Sequence, residues 1–421
     1  MITPRWSAAG ILSHNHGHKS IYHSTMNENK SRREFLLCSA AIGGAAIAAS
    51  ANGSAAEGGD KAVPLAPPDR QPPDLELPVA PSRKVGWAIV GLGQLALEEI
   101  MPAFAGCHSS EPVALVSGHP DKARKVAAAY GIKREAIYDY ESYDRLAEDK
   151  SVEVIYIVLP NSMHADFTIR GLRAGKHVLC EKPMAVSVAE CESMIAEAKK
   201  AERQLGVAYR LHSEPLNRKV IELCAEKKFG RIKSFTSSNC QDVKAPNIRL
   251  SKVLGGGPVG DVGIYSINAA RYVTGEEPVE VTALAHQPTD DPRFREVPES
   301  VVFTMRFPSG VLATCDCSFG VGESRRYRVH CAKGFIEMDP AFSYRGLRLR
   351  TKSGETEGTQ TAENAEMLIE EVDHFTAEMD HFSQVVRDGI PLRTPGAMGL
   401  ADMRVLAAIM EAARTGRTVK V

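Results

Sequence analysis

The chain has 421 residues, of which 43% are hydrophobic and 24% are charged, and its formal net charge is −1. This length suffices for two domains of common size, and a charge so close to zero argues against a nucleic-acid-binding protein. No apolar run is long enough to cross a membrane as a helix, and the 9 cysteines form no CxxC pair, which argues against a disulfide scaffold.

Residues 1–56 are predicted to be an export signal. The pair Arg32-Arg33 precedes an Ala/Gly/Ile-rich run at 36–49, which is typical of the twin-arginine route. The alternatives are a buried helix or a membrane anchor, and the run is too short and too rich in Ala and Gly to span a bilayer. We therefore predict a periplasmic protein exported by the twin-arginine machinery, without a stable membrane anchor. Residues 1–25 precede Met26 and are interpreted as an over-extended start.

Residues 57–82 contain seven of the 24 prolines. Repeated proline blocks helix and sheet and favours an extended backbone. This Pro-rich arm is either a disordered linker or an ordered segment lying across the folded body or a neighbouring subunit.

A dinucleotide-binding domain is predicted from residue 83. Residues 85–90 form a continuous apolar strand, which leads into the glycine-rich loop Gly91-Leu92-Gly93-Gln94-Leu95-Ala96 and a helix reaching about residue 106. In a G-x-G-x-x-A loop the first glycine permits the tight turn and the second lets the backbone approach a pyrophosphate. The small third residue lets helix and strand pack closely.

The end of the second predicted strand, 112–116, indicates which dinucleotide binds. A site that prefers NAD places Asp or Glu there, whereas this chain has Ser117 and Gly118, followed by Lys122 and Arg124. Serine and lysine bind a 2′-phosphate that a carboxylate would repel, so we predict NADP. The alternative is that the two basic residues merely form a solvated helix face.

Strands and helices then alternate as in a doubly wound parallel sheet, which defines a Rossmann domain over 83–208. Polar clusters follow two strand ends, one at Pro160-Asn161 and His164 and the other at Glu181-Lys182. The further strands are predicted at 136–138, 154–159, 178–180 and 205–208, and the helices near 121–130, 164–174 and 187–203.

These motifs resemble the glucose–fructose oxidoreductase / inositol dehydrogenase (Gfo/Idh/MocA) family, over essentially 83–421. The resemblance is carried by the loop at Gly91, Pro160-Asn161-x-x-His164, Glu181-Lys182-Pro183, Tyr209-Arg210-x-His212, Gly255-Gly256-Gly257 and Asp261-Val262-Gly263-Ile264-Tyr265. It implies that cofactor contacts come from the glycine-rich loop, Ser117, Gly118, Lys122, Tyr140, Pro160, Asn161, His164, Glu181, Lys182 and Arg210. It places Arg249 on the cofactor–substrate side.

The resemblance also implies a second α/β domain at 209–421, built on an open, mostly antiparallel sheet. Alternating strands at 231–239, 278–286, 300–307, 311–318 and 325–331 agree with this, as do helices at 214–228, 373–388 and 397–414. Helices on one side leave the other sheet face uncovered, so we expect a homo-oligomer, a dimer or a tetramer, formed through this sheet.

Taken alone, Asp261 and Tyr265 would indicate a helix cap and a core residue. The Lys182 strand end and the family resemblance instead assign catalysis to Lys182, Asp261 and Tyr265, with Arg249 joining them at the substrate. Asp261 and Tyr265 share one face if 258–273 is helical. A free tyrosine is a poor base at neutral pH, and a nearby ammonium favours its ionised form, which is the role given to Lys182. Either Lys182 or Tyr265 is the proton carrier, since coupled groups titrate as a unit, and Asp261 orients the sugar hydroxyls.

The predicted function is a ping-pong oxidoreductase with a trapped NADP. An exported protein finds no NADP outside the cytoplasm, so a cofactor loaded before export must stay bound and be recycled by a second sugar. The expected reaction oxidises an aldose to its lactone and then reduces a second sugar to an alditol. The alternatives are a dehydrogenase with an exchangeable cofactor and a non-catalytic sensor of sugar or dinucleotide.

Overall fold

The computed structural model describes residues 83–353 and 364–421, and the predicted export signal and Pro-rich arm lie outside these ranges. The first sheet has six strands in the order β3-β2-β1-β4-β5-β6, and all neighbours are parallel. The strands are β1 (Val85–Val90), β2 (Ser110–Val116), β3 (Ile137–Tyr138), β4 (Val154–Ile157), β5 (His177–Glu181) and β6 (Leu205–Ala208). The predicted doubly wound parallel sheet is confirmed.

Helices cover both faces of this sheet, which explains why all six residues of β1 are buried. The helix after β1 begins with a wide π turn (Ala96–Ile100), continues as α1 (Met101–Ala103) and ends in a 3₁₀ turn (Phe104–Gly106). The others are α2 (Pro120–Tyr130), α3 (His164–Arg173) and α4 (Val188–Ala201). The carboxyl ends of the parallel strands meet at one edge of the sheet, which is where such folds bind ligands.

The second sheet has nine strands in the order β14-β13-β12-β11-β7-β10-β9-β8-β15. Its neighbours are antiparallel except for β7 and β10, which are parallel, so the predicted mostly antiparallel sheet is confirmed. The strands are β7 (Ile232–Asp242), β8 (Glu280–His286), β9 (Ser300–Arg306), β10 (Leu312–Ser318), β11 (Gly320–Cys331), β12 (Gly334–Met338), β13 (Leu349–Ser353), β14 (Asn364–Met367) and β15 (Val419–Lys420).

One face of the second sheet packs against helices and the other carries exposed apolar side chains. Helices α5 (Pro215–Ala225), α6 (Ile264–Thr274) and α8 (Gly396–Thr415) contribute to the core under this sheet, and a wide π turn (Val259–Gly263) precedes α6. The remaining helix of this half of the chain is α7 (His374–Asp388). On the opposite face Leu284, Val302 and Leu312 keep 76%, 49% and 48% of their surface exposed. Within 83–353 and 364–421, no helix is long and apolar enough to cross a membrane.

Helix α7 packs into the first domain although it follows the second domain in sequence. Phe375, Met379 and Phe382 belong to the same buried cluster as β1. The Trp87 indole nitrogen donates a hydrogen bond to Ser383 Oγ at 2.9 Å. The predicted division after residue 208 therefore leaves out a helix that completes the first core.

The eight cysteines within the described ranges are free thiols, and all except Cys331 are buried. The sequence predicts free, mostly buried thiols because a protein that folds in the reducing cytoplasm forms few disulfides, and the structure confirms this.

Candidate active site

A cleft of about 740 Å³ lies at the carboxyl edge of the first sheet. The glycine-rich loop and the ends of β4 and β5 line it from the first domain, and β7 and the π turn before α6 line it from the second. Every residue predicted for the site lines this cleft except Gly118. Gly118 lies beneath Tyr140, because a Cβ on it would come within 3.0 Å of the Tyr140 ring.

The glycine-rich loop has the shape that a bound dinucleotide requires. Gly91 has a φ of 97°, and a Cβ there would lie 2.3 Å from the carbonyl oxygen of Val158. A Cβ on Gly93 would meet no atom within 4 Å, so the backbone at Gly93 is open to an approaching group. The loop is therefore closed on the strand side and open where a pyrophosphate approaches in this fold. Beside it, Gln94 donates to Glu98 at 2.9 Å.

The basic residues after β2 differ in their environments. Lys122 Nζ donates to the carbonyl oxygen of Leu92 at 3.2 Å, which holds its ammonium over the glycine-rich loop. Ser117 is buried, and its hydroxyl accepts a hydrogen bond from the backbone N–H of His119 at 3.1 Å. Arg124 pairs with Asp121 on the surface. The solvated-face interpretation thus fits Arg124, whereas Ser117 and Lys122 fit a 2′-phosphate.

The residues after β4 hold the loops around the cleft together. The His164 ring is fully buried, and its two nitrogens each lie 2.8 Å from a backbone carbonyl oxygen, one of Leu159 and one of Pro183. Burial lowers the pKa of His164. Asn161 Nδ2 donates to the carbonyl oxygen of Gly255 at 2.8 Å, which ties the Pro160 turn to the glycine triplet of the second domain. Both side chains are engaged by the backbone.

Lys182 joins the two domains at the bottom of the cleft. Its Nζ donates to the backbone carbonyl of Asp261 at 2.9 Å and to the Asp261 carboxylate at 3.2 Å. The same nitrogen lies 4.8 Å from the centroid of the Tyr265 ring. Burial opposes the charged form of Lys182, but the acidic groups of Tyr265 and Asp261 outweigh burial and raise its pKa.

The Asp261 carboxylate is held by three donors. Besides Lys182, Arg249 Nε donates to it at 2.6 Å and Gln241 Nε2 at 3.1 Å. Burial raises the pKa of Asp261, but the charges of Lys182 and Arg249 outweigh burial and lower it to about 2. Asp261 is therefore an ionised anchor for two cations.

Tyr265 lies where these groups converge. Its ring faces Lys182 and packs 5.8 Å from the Phe342 ring, centroid to centroid. In the described part of the chain its hydroxyl has no hydrogen-bond partner, and the residue lines the cleft, which leaves that oxygen available to a ligand.

Arg210 holds the loop next to Tyr265 in place. It donates to the carbonyl oxygens of Phe342 at 2.6 Å and Ser343 at 3.1 Å, and to His374 Nδ1 at 2.6 Å. Its guanidinium carbon lies 4.6 Å from the centroid of the Tyr344 ring. Arg210 therefore fixes the loop that carries Tyr344 at the wall of the cleft.

Comparison with known proteins agrees with this architecture. Residues 85–209 match the family model described as "Oxidoreductase family, NAD-binding Rossmann fold", and residues 217–337 match the GFO/IDH/MocA C-terminal domain. A D-xylose 1-dehydrogenase [NADP(+)] of Haloarcula marismortui is 30% identical over 358 residues, which cover 82% of this chain and 96% of that one. The chain belongs to the Gfo/Idh/MocA family. The predicted family and the predicted class of enzyme, an NAD(P)-dependent oxidoreductase, are confirmed.

Two further relatives of this Gfo/Idh/MocA protein match almost over their whole length. The crystal structure of aldose–aldose oxidoreductase from Caulobacter crescentus, complexed with glycerol, is 43% identical and superposes with a TM-score of 0.77. That match covers 80% of this chain and 100% of the other. An uncharacterized oxidoreductase of Rhizobium meliloti is 29% identical over 339 residues, which cover 79% of this chain and 98% of that one.

The structure adds two residues that the family motifs do not include. Gln241 reaches Asp261 because β7 continues to Asp242, three residues beyond its predicted end. Gln241 follows directly on the alternating pattern of this strand, and that position is the one signal from which a longer strand could have been predicted. Tyr344 lies in a loop after β12 and outside every predicted strand and motif.

Proposed function

We propose that this chain is an NADP-dependent sugar oxidoreductase that keeps its cofactor bound. In the proposed cycle it oxidises an aldose to the lactone and then reduces a second sugar to the alditol. The observation that carries this proposal is the ionic cluster of Lys182, Asp261 and Arg249 around Tyr265, which faces the same cleft as an open glycine-rich loop. The names of the similar proteins, an aldose–aldose oxidoreductase and an NADP-dependent xylose dehydrogenase, support the substrate class and the cofactor.

The choice of NADP is supported by the groups after β2. Ser117 and Lys122 supply a hydroxyl and an ammonium at the strand end, and no carboxylate occupies 117–119. A phosphate monoester gains charge-assisted hydrogen bonds from such groups, whereas an Asp or Glu at this position would select the free 2′-hydroxyl of NAD.

When bound, the nicotinamide ring supplies the site that accepts and returns a hydride. The residues of the chain accept and return the proton of the sugar hydroxyl that accompanies the hydride. The Tyr265 oxygen exchanges a proton with the hydroxyl of the reacting carbon, and the Lys182 ammonium favours the ionised tyrosine. Asp261 holds Lys182 and Arg249 in place, so the positive charges stay on the tyrosine side of the cleft. Either Lys182 or Tyr265 is the formal proton carrier, because the Lys182 ammonium lies against the Tyr265 ring.

The retained cofactor follows from the predicted export route. Retention for hours needs a dissociation rate of about 10⁻⁵ s⁻¹, which corresponds to roughly −15 kcal/mol of binding free energy at an ordinary association rate. The predicted 2′-phosphate site and the Pro-rich arm are the features that would contribute to such affinity. With the cofactor retained, each oxidation must be followed by reduction of a second sugar at the same site.

The exposed apolar face of the second sheet supports the proposed homo-oligomer. Leu284, Val302 and Leu312 lie on neighbouring strands and point to the same side. A second copy that packs face to face would remove these side chains from water, as a two-fold symmetric interface does.

The enzyme assignment is tested by supplying NADP and glucose to the purified chain and following reduced nicotinamide. We expect glucose alone to reduce the bound cofactor only once in the wild type, and a second sugar, such as fructose, to reoxidise it, so that sustained turnover is measured as lactone and alditol formed with both sugars present. The Tyr265→Phe variant should lose at least about 10³-fold of both half-reactions, since it lacks the proton-exchanging oxygen. Tyr130→Phe, at the surface end of α2, is the matched control and should keep wild-type rates. Sugar or nucleotide binding without any turnover would favour the sensor alternative.

A further inference from the structure

A tyrosine hydroxyl lies between two buried carboxyl groups directly behind the cleft. Tyr156 Oη, on β4, is 2.9 Å from Glu181 Oε1 and 3.5 Å from Glu378 Oε2. Glu181 is only 7% exposed and Glu378 only 4%, and Tyr156 is fully buried. Glu378 lies on α7, the helix that packs into the first domain from the far end of the chain.

Tyr156, Glu181 and Glu378 have too few protons between them to satisfy every close oxygen–oxygen contact unless one of the glutamates is protonated. The Tyr156 hydroxyl has one proton, and the shorter contact assigns it to Glu181. The other oxygen of Glu181 accepts from the backbone N–H of Lys182 at 3.2 Å, so both of its oxygens are hydrogen-bonded. Glu378 Oε2 then faces only a lone pair of Tyr156, which is unfavourable unless Glu378 brings its own proton.

Glu378 forms no ion pair with any residue of the described ranges. Within 83–353 and 364–421, no Lys, Arg or His nitrogen forms an ion pair with its carboxyl group, and its Oε1 has no hydrogen-bond partner. Arg210 is the cation whose charge acts on Glu378, but its terminal nitrogens are directed to Phe342, Ser343 and His374. A buried carboxylate without a cation or sufficient donors is strongly disfavoured relative to the neutral acid.

We propose that Glu378 carries a proton and donates it to Tyr156 Oη, so that Glu378, Tyr156 and Glu181 form one directed chain with a single negative charge on Glu181. Glu378 is then a positioning residue, which acts through Tyr156 on the carboxylate beside Lys182. The titratable and charged groups that face it are Tyr156 of β4, Glu181 of β5 and Arg210 after β6. Burial raises the pKa of Glu378 well above its usual range and the negative charge of Glu181 adds to the effect, while the charge of Arg210 and the contact with Tyr156 oppose it only in part.

The protonation state is tested without any enzyme assay. Glu378→Gln keeps the shape and a donor but cannot ionise. A glutamate that is neutral in the folded chain and ionised in the unfolded chain makes stability fall as pH rises above about 4.3. The unfolding equilibrium constant of the wild type, divided by that of Glu378→Gln, should therefore rise up to about tenfold per pH unit between pH 5.5 and 8. A ratio that stays constant over this range would show that Glu378 is ionised when folded and would overturn the proposal.

A surface substitution controls for the change in net charge. Glu192→Gln removes a carboxylate that is about half exposed and pairs with Arg404, and it should give a ratio independent of pH. Infrared spectra give a second readout, because the carbonyl band of a protonated carboxylic acid should be weaker in Glu378→Gln than in the wild type and unchanged in Glu192→Gln. Equal bands in all three proteins would contradict a proton on Glu378.

The positioning role rests on the proposed function and is tested separately. Glu378→Met removes the donor at similar volume and should lower kcat for aldose oxidation about tenfold, while Glu378→Gln, which donates from its amide, should restore most of it. Equal loss in both variants would overturn the positioning role. If the wild type oxidises no aldose, the proposed function fails, whereas the pH-dependent stability still reports on the proton of Glu378.

Discussion

Lys182 Nζ donates to the backbone oxygen of Asp261 at 2.9 Å and to its carboxylate at 3.2 Å. One side chain of the first domain is thereby fixed to the helix start that carries Tyr265 in the second. The wide π turn at Val259–Gly263 contains Asp261, and such turns are frequent at functional sites because they redirect backbone groups. The geometry that brings ammonium and tyrosine together therefore depends on Asp261.

Replacement of Lys182 tests its electrostatic role. Lys182→Met removes the charge that favours the ionised tyrosine, so we expect the rate of aldose oxidation to fall at least about 10³-fold. Lys182→Arg keeps the charge but changes its geometry, and it should retain more activity than the Met variant. Single-turnover reduction of the bound nucleotide is the measurement. Equal, small effects in both variants would contradict the assigned role.

Asp261 contributes to stability in a defined pH range. Its pKa is about 2 in the folded chain, below the usual value for aspartate, so its contribution is complete above pH 4 and is lost as pH falls toward 2. Relative to Asp261→Asn, the wild type should lose about 2 kcal/mol of unfolding free energy over that range. Denaturant titrations from pH 5 to pH 2.5 measure this. A difference between the two proteins that does not vary with pH would contradict it.

The cofactor preference is predicted to reside at the end of β2. Ser117→Asp should weaken NADP binding at least about 100-fold through repulsion of the 2′-phosphate, with little effect on NAD. Lys122→Ala should weaken NADP binding about tenfold, whereas Arg124→Ala, whose guanidinium pairs with Asp121, should change it less than twofold. Titration calorimetry with both nucleotides, after removal of any retained cofactor, distinguishes these outcomes. Loss of NAD binding in Ser117→Asp would indicate misfolding instead.

Substitution of the two loop glycines is expected to affect different properties, stability at Gly91 and cofactor binding at Gly93. Gly91→Ala forces a Cβ to within 2.3 Å of a carbonyl oxygen at a φ of 97°, and should cost at least about 2 kcal/mol of stability. Gly93→Ala meets no protein atom within 4 Å, so it should fold normally but bind NADP at least about tenfold more weakly. Thermal unfolding and nucleotide titration of both variants test this. A stable Gly91→Ala or a tightly binding Gly93→Ala would contradict the assigned positions.

The local sequence pattern was sufficient to predict the limits of a strand where the segment is buried on both faces or bounded by glycine. β1 and β6 have the predicted limits, 85–90 and 205–208, because continuous apolar strands of a parallel sheet leave little freedom. β12 to β15 were not predicted, since they are only two to five residues long, and β14 and β15 form the two opposite edges of the sheet. Their pairing is set by neighbours and not by their own sequence.

The parts of the site that depend on distant contacts were likewise beyond the sequence. The motif residues line one cleft as expected, but nothing local shows that His164 and Asn161 are engaged by backbone carbonyls. Helix α7 packs into the core of the first domain and places Glu378 there. The helix pattern at 373–388 does not show which domain the helix packs against. Long-range packing thus decides which polar residues face the ligand and which support it.

The retained cofactor is tested most directly by exposing the chain, purified without added nucleotide, first to an excess of an aldose and then to an excess of a ketose. We predict that reduced-nicotinamide absorbance rises to at most one equivalent per chain on the first addition and decays on the second. Absence of any signal until free NADP is supplied would contradict the trapped-cofactor cycle and would favour a dehydrogenase that exchanges its cofactor.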